Sequence, residues 1–307
     1  MNIIQSAREL GNGNRKVCLA IGVFDGVHLG HQQIIRQTIA DARQHDAIAL
    51  VLTFDRHPNT VVAPDHVPPL IYSLAQKTRA IEALGSDAML LLHFDRALSG
   101  QSGETFIRSL ARDFGHIQSI CVGADFVFGH KRNGNVGLLK KLGAELHFAV
   151  HGIAAVSLDG QGVSSTRIRE AIQIGDFDSA SQMLGRAYVL AAKVIKGDKL
   201  GHQLGFPTAN LDVTGFVLPP NGVYAAHATV HGQTHRAVLN IGHRPTISQP
   251  TLQLRVEVHL LDFSGRLYGE ELEVIFVDRL RDEKKFSSLD ELTSQITRDV
   301  AEARDRF

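Results

Sequence analysis

The sequence predicts two architectures in series: an open, mostly parallel α/β sheet, then an antiparallel all-β barrel or sandwich that ends in a helix. Three observations carry this reading. Near-continuous apolar runs alternate with amphipathic stretches up to about residue 185. From 186 onward the apolar period shortens to two, and Gly, Pro and Asn turns punctuate it. The chain then closes on one helical apolar stripe.

In the first half, strands are expected at 17–23 (VCLAIGV), 47–54, 87–94, 117–122 and 145–150. Their unbroken apolar character suits strands covered on both faces. Helical patterns lie between them at 31–45, 73–84, 102–114 and 136–142. Ser102 can cap the third, where Phe106, Leu110 and Phe114 recur at helical spacing. Alternating strands and helices call for parallel pairing with crossover connections. In the second half, segments 188–196, 222–230, 236–241, 252–262 and 271–277 are separated by turns such as GDKLG, PPNG and FSGRLYG. That spacing reads as antiparallel all-β structure. Ser288 and Glu291 form a capping-box pair, and Leu289, Leu292, Ile296 and Val300 make one stripe.

Composition bounds the function. The chain has 307 residues, 44% hydrophobic and 21% charged, which excludes wholesale disorder and fits about two domains. Lys plus Arg number 32 and Asp plus Glu 32; residues 1–185 carry 17 of each sign and 186–307 the remaining 15 of each. Neither half has the standing positive field of a nucleic-acid coat or a polybasic membrane-surface protein. No apolar stretch approaches the ~18 residues of a membrane span. MNIIQSARELGNGNRK lacks the apolar core of a signal peptide, so a cytoplasmic location is expected. Cys18 and Cys121 sit in apolar runs and read as buried hydrophobes.

The strongest motif is GVFDGVHLGH at 22–31, which follows the first strand and opens the first helix. Ligands of open parallel sheets bind beyond the carboxyl ends of the strands. Gly22, Phe24, Asp25, Gly26 and Gly30 lie in this segment. Gly26 and Gly30 permit close backbone approach, and the helix start offers N–H groups to phosphate. His28 and His31, three apart, can point at one anion and stabilise charge developing during displacement. A zinc site would need further ligands at suitable spacing, which are absent.

VSSTRIREAI (163–172) has Ser164 and Thr166 where a loop enters a helix, with Arg167 and Arg169 in the first turn. Cations there oppose the helix dipole unless an anion is bound; an ordinary cap with solvated arginines is the plain alternative. VGADFVFGHKRNGNV (122–136) offers Asp125, Phe126 and Phe128 to a flat ring, or is a surface loop. TFDRHP ends a strand, with His57 at a site or in a turn. In the second half, GHQLGFPTANL has Gly201, Gly205 and Pro207 before Thr208 and Asn210, whose hard oxygens suit magnesium beside phosphates or satisfy a turn. RVEVHLLDF puts Arg255, Glu257 and His259 on one strand face, toward either a cleft or solvent. In a cleft, Glu257 could accept a hydroxyl proton during phosphoryl transfer.

H-x-G-H in this setting resembles the nucleotidyltransferase superfamily. The full order GVFDGVHLGH, TFDRHP, VGADFVFGHKRNGN, SSTRIREAI, GHQLGFPTANL, NGVYAA, NIGHRPT, VEVHLLDF and LYGEELEVIFVDRLRDEKKF resembles the prokaryotic bifunctional riboflavin kinase/FAD synthetase family from about residue 17 onward. The resemblance implies a Rossmann-like FMN adenylyltransferase domain at 1–185 and a β-barrel riboflavin kinase domain at 186–307. It implies ATP, riboflavin and FMN as substrates, magnesium as cofactor and no nucleic-acid or membrane partner, and it leaves self-association open. By motif, Glu257 is the base for the ribityl hydroxyl, Thr208 and Asn210 hold magnesium, and His28 and His31 brace the triphosphate. Ser164, Thr166, Arg167 and Arg169 match a phosphate-binding turn. Asp125 to Phe128 match a flavin and nucleotide wall, and Asn240 and Arg281 match ligand-binding positions of the kinase. His202, Ala187 and Asp55–Arg56 depart from the family pattern, which usually has arginine, proline and an acidic-Pro pair there.

Two other classes are weighed against this. A nucleotidyltransferase for another substrate would have no need of GFPTAN and Glu257. A non-catalytic nucleotide-binding module would have no need of His28, His31 and Glu257 together.

Overall fold

The computed structural model describes residues 1–10, 16–197, 200–244 and 253–307. Pro245 and Thr246 of NIGHRPT, Asp198 and Lys199 of the GDKLG turn, and Leu252 at the start of the expected 252–262 strand lie outside them.

Six parallel strands form the N-terminal sheet: β1 (Asn2–Ile4), β2 (Val17–Ile21), β3 (Ile48–Phe54), β4 (Ala88–Leu92), β5 (Ile117–Gly123) and β6 (Ala149–Ile153). Their spatial order is β1-β4-β3-β2-β5-β6. Alternate residues of the central strands enter two different cores. Leu19, Ile21, Leu50, Leu52, Leu90, Ile120 and Val122 pack in one. Cys18, Ala20, Ala49, Val51, Met89 and Cys121 pack in the other. Both faces are covered, which is why the strands read as unbroken apolar runs.

The longer helices of this unit are α1 (Leu29–His45), α2 (Leu74–Glu82), α3 (Gly103–Phe114) and α4 (Val136–Leu146); α5 (Ser165–Ile174) and α6 (Phe177–Leu184) come next in the chain. Ser102 caps α3 by accepting from the Thr105 N–H, as its position predicts. The expected strand at 145–150 is displaced: α4 runs on to Leu146, and β6 begins only at Ala149. His147 supplies the break by adopting the left-handed conformation that ends the helix. β1 has no counterpart among the expected strands, since three residues show no periodicity of their own.

The second half settles the choice between barrel and sandwich. Strands β7 (Leu190–Ile195), β8 (Ala209–Leu211), β9 (Gly222–Val230), β10 (Gln233–Arg244), β11 (Gln253–Leu260) and β12 (Glu271–Arg281) close into an antiparallel barrel in the order β7-β8-β11-β10-β9-β12. Val256, Val258 and Leu260 are buried while the residues between them are not. The C-terminal helix, α7 (Leu289–Arg304), starts at Ser288, whose hydroxyl accepts from the Glu291 N–H. The chain divides into two compact units, 1–167 with 183–185, and 168–182 with 186–307. Phe177 explains why 168–182 goes with the barrel: its ring stacks on Phe276 at 4.6 Å and meets Tyr188 and Tyr224.

Candidate active sites

In the first unit, parallel pairing places the carboxyl ends of β2, β3 and β5 along one edge of the sheet. GVFDGVHLGH, TFDRHP and VGADF all begin there. The SSTR turn is tied to the same edge: the Ser165 hydroxyl donates to the Asp25 carbonyl at 3.0 Å.

The loop after β2 folds tightly. Phe24, Gly26 and Val27 all have positive φ, at 53°, 76° and 41°. Two of them are not glycine, so the turn carries strain of the kind that persists at functional sites. Asp25 is buried, and its carboxylate accepts from the Ile71 and Tyr72 N–H groups at 3.1–3.2 Å. Phe24 is 1% exposed and sets its ring edge-to-face behind His31 at 5.2 Å. A Cβ on Gly22 would meet that ring at 2.9 Å. Phe24, Asp25 and Gly22 thus build the loop from beneath.

His28 is the N-cap of α1, one step outside the helix rather than within its first turn. Its Nδ1 accepts from the His31 N–H at 3.4 Å, so a neutral ring carries its proton on Nε2. The two imidazoles stack with centroids 3.6 Å apart. Gly30 sits beside His28, where a Cβ would come within 3.2 Å of the ring. His31 Nδ1 is buried without a hydrogen-bond partner. Burial, then the neighbouring His28 and Lys77, holds the His31 pKa well below the ordinary imidazole value. A neutral pair can stack this closely; two cations would repel each other.

Sequence reasoning missed Lys77, which is buried on α2. Its Nζ donates to the Phe54 carbonyl at 2.8 Å, the Thr53 hydroxyl at 3.2 Å and the Val23 carbonyl at 3.3 Å. The available signal was its place four residues before Ile81, a core position of an amphipathic helix.

The other N-terminal candidates have mixed placements. Ser164 Oγ accepts from the Arg167 N–H, a helix cap. Arg167 Nη1 donates to the Gln161 and Gly162 carbonyls at 3.1 and 3.0 Å. Backbone oxygens therefore already face this cation, and it needs no bound anion to offset its place in the first turn. Thr166 is exposed and Arg169 half-buried on the same turn. His57 accepts from the Asn59 N–H through Nδ1. Asp125 is exposed, while the Phe126 and Phe128 rings stack at 5.2 Å against the core. Phe128 lies over Gly134, where a Cβ would meet its ring at 2.8 Å. It anchors the loop. Asp55, one of the departures, is paired with His93 at 2.6 Å. Partial burial would raise its pKa, but hydrogen bonds from His93 and the Phe94 N–H hold it below the usual carboxylate range.

In the barrel unit, a cavity of about 300 Å³ opens over one row of residues. Register makes the row: Glu257 on β11 pairs with Asn210 on β8 and with Asn240 on β10. Thr208, Asn210, Asn240, Arg255, Glu257, His259 and Arg281 all line the cavity, together with Gly201. The polar face of RVEVHLLDF thus faces a cleft. Gly205 and Pro207 stand outside this lining; Gly205 makes the turn at φ 85°, and the Pro207 carbonyl meets His259 Nδ1 at 2.8 Å.

Arg281 is held by two hydrogen bonds from Nε and Nη2 to the buried Asp299 carboxylate, at 2.8 and 2.7 Å. Gln295 donates to the same carboxylate. Leu292, Ile296 and Val300 line the cavity as well, so part of the apolar stripe is site wall. Asp299 had a signal in the sequence, as a carboxylate placed among those apolar positions.

Comparison with known proteins agrees with both halves. The FAD synthetase family profile matches residues 11–167, and the riboflavin kinase profile matches 184–307. Proteins named bifunctional riboflavin kinase/FMN adenylyltransferase are similar over nearly their whole lengths. The one from Haemophilus influenzae is 37% identical over 99% of both chains. That from Pseudomonas fluorescens is 37% identical over 99% of this chain and 97% of its own. The Escherichia coli K12 protein is 35% identical over 100% and 98%. A crystal structure described as a macrolide-efflux protein from Streptococcus pneumoniae superposes with a TM-score of 0.81 at 28% identity, covering 98% of each chain. With paired histidines at the sheet edge, a Glu–Asn–Asn row in the barrel and relatives aligned end to end, this chain belongs to the bifunctional riboflavin kinase/FMN adenylyltransferase family.

Proposed function

We propose that the barrel cavity phosphorylates riboflavin with ATP and that the histidine pair serves the transfer of AMP from a second ATP to FMN, giving FAD and pyrophosphate. The assignment gives 186–307 the kinase and 1–185 the adenylyltransferase. The observation that carries it is the Asn210–Glu257–Asn240 row inside a cavity walled by α7.

In the kinase step, Glu257 receives the proton of the ribityl hydroxyl as its oxygen attacks the γ-phosphorus and ADP departs. Arg281, fixed by Asp299, holds ligand charge in place, and the apolar wall of Leu292, Ile296 and Val300 suits a flat ring. Thr208 and Asn210 offer hard oxygens to magnesium, and the space around them favours this. A Cβ on Gly197 would run into the Asn210 side chain, and one on Gly201 into the Phe206 carbonyl and the Thr208 side chain. Among the described residues no cluster of three His, Cys, Asp or Glu could hold a metal. The donors are those of an ion that keeps water and phosphate as its other ligands. Magnesium would neutralise phosphate charge there.

In the adenylyl step, the FMN phosphate is already anionic, so attack on the α-phosphorus needs no general base. His28 and His31 stabilise the charge that moves onto the departing pyrophosphate, aided by backbone at the start of α1. Ser164, Thr166 and Arg169 lie on the turn tied to Asp25. The chain is proposed to act in the cytoplasm. No helix among the described residues is long and apolar enough to cross a membrane.

Riboflavin, ATP and magnesium incubated with the full chain should yield FMN and then FAD by chromatography. Glu257→Ala should cut FMN formation by about 10²–10⁴-fold while supplied FMN still becomes FAD. His31→Ala should stop the sequence at FMN. Equal loss of both steps in either variant would overturn the two-site division.

A further inference from the structure

We propose that Lys77 is a positioning residue for adenylyl transfer, its buried ammonium clamping the strained GVFDG loop to the end of β3. This rests on the proposed adenylyl site at His28 and His31.

The geometry is specific. An ammonium has three protons, and Lys77 spends them on three acceptors from two chain segments. Val23 O belongs to the loop after β2, while Thr53 Oγ1 and Phe54 O end β3. Thr53 is fully buried, and its hydroxyl donates to the Val23 carbonyl at 3.0 Å, so the two segments are cross-tied twice. The same helix region grips the loop again where Asp25 accepts from Ile71 and Tyr72. The bridged loop is the one whose Phe24, Gly26 and Val27 have positive φ. It ends at His28, whose Nδ1 caps α1. Loosening Val23 would move the histidine pair.

The buried positive charge adds an electrostatic role. Asp25 on the loop and Asp55 beyond β3 are the acidic groups that act on Lys77, and Arg56 and His93 in turn attend Asp55. Burial lowers the Lys77 pKa to about 8, against the opposite pull of those two carboxylates, so the ammonium is mostly charged at pH 7. Burial first, then the neighbouring His28 ring and the Lys77 charge, keep His31 from taking a proton. His31 then meets a triphosphate as a neutral donor. Its buried Nδ1 has no acceptor for an extra proton.

The test uses the full chain with Lys77→Met, which keeps the length and removes the charge and the donors. FMN formation from riboflavin should stay within about twofold, reporting an intact barrel. FAD formation from FMN should fall by about 10²-fold, the scale of a misplaced reacting group. The His31 ring, followed by nitrogen NMR and assigned with His31→Ala, should titrate at higher pH than in the parent, because a like charge has gone. A lysine whose charge does not act on His31 would leave that titration where it was. Thr53→Val, which removes one acceptor and keeps the ammonium, should give a several-fold loss of FAD formation with an unmoved His31 titration. It serves if Lys77→Met does not fold. FAD formation within threefold of the parent in Lys77→Met, or an unmoved His31 titration, overturns the role of Lys77 alone. Unimpaired FAD formation in Thr53→Val overturns the clamp. A His31→Ala chain that still makes FAD overturns the site itself, and this role with it.

Discussion

Glu257 is a half-buried carboxylate between two asparagines, and its placement depends on strand register. A slip of one residue would send it into the barrel core in place of Val256 or Val258. The two cysteines show the opposite case, residues defined by burial alone. Both are 0% exposed. Burial raises the Cys18 thiol pKa and pushes that of Cys121 up to about 12, with the Asp41 carboxylate acting in the same direction. A thiol with a raised pKa stays protonated at pH 8, and the thiolate is the nucleophile. Iodoacetamide at pH 8 should therefore leave both cysteines of the folded chain unmodified and alkylate both in denaturant, read by mass spectrometry. Labelling of either in the native chain would contradict this. Both thiols could be placed from the sequence, since VCLAIGV and SICVGA announce central strands. Lys77 had only its spacing to Ile81 as a signal, because a lysine in an amphipathic helix is ordinarily solvated.

At the scale of elements, the loop from Asp125 to Asn135 depends on three close approaches. Gly129 has φ 74°, and a Cβ there would collide with the backbone of Gly103. Gly103 opens α3 and its N–H donates to the Asn133 side chain. Gly134 leaves space for the Phe128 ring. Gly129→Ala should therefore displace the loop from α3, raising the KM for FMN in FAD formation while FMN synthesis continues at the parental rate. Steady-state kinetics of the two steps in one chain provide the check; an unchanged KM would show that the loop does not bear on the flavin. Motif composition leaves open two aromatic faces turned to a ligand or a plain surface loop. In the fold Phe128 is an anchor, and the reason is packing: a ring over two glycines excludes water at little steric cost.

For the whole molecule, charge is the informative property. The chain is neutral overall, and each half is neutral as well. Long-range attraction of anionic substrates by bulk charge is therefore absent, and rate should respond little to screening. Between about 50 and 200 mM salt, kcat/KM for either step should change less than threefold, whereas a steered enzyme loses far more. Chelation of magnesium with EDTA should stop both steps and readdition restore them. A steep salt dependence, or turnover in EDTA, would refute this account of phosphate handling.

The sequence by itself determined the class of both halves, the motif order and the alternation that separates the polar from the apolar face of β11. These are local quantities: a period of two or of 3.6, and residue types at fixed spacing. The tertiary structure decided what depends on partners far along the chain. It closed the second half into a barrel, turned the Glu257 face toward a cavity and gave α7 a share in its wall. It also withdrew Phe24 into the core, occupied Arg167 with backbone carbonyls and brought Lys77 beneath the loop before His28. Each of these outcomes is fixed by which surface is left to cover a strand face or satisfy a buried polar group, and periodicity carries no information about that choice.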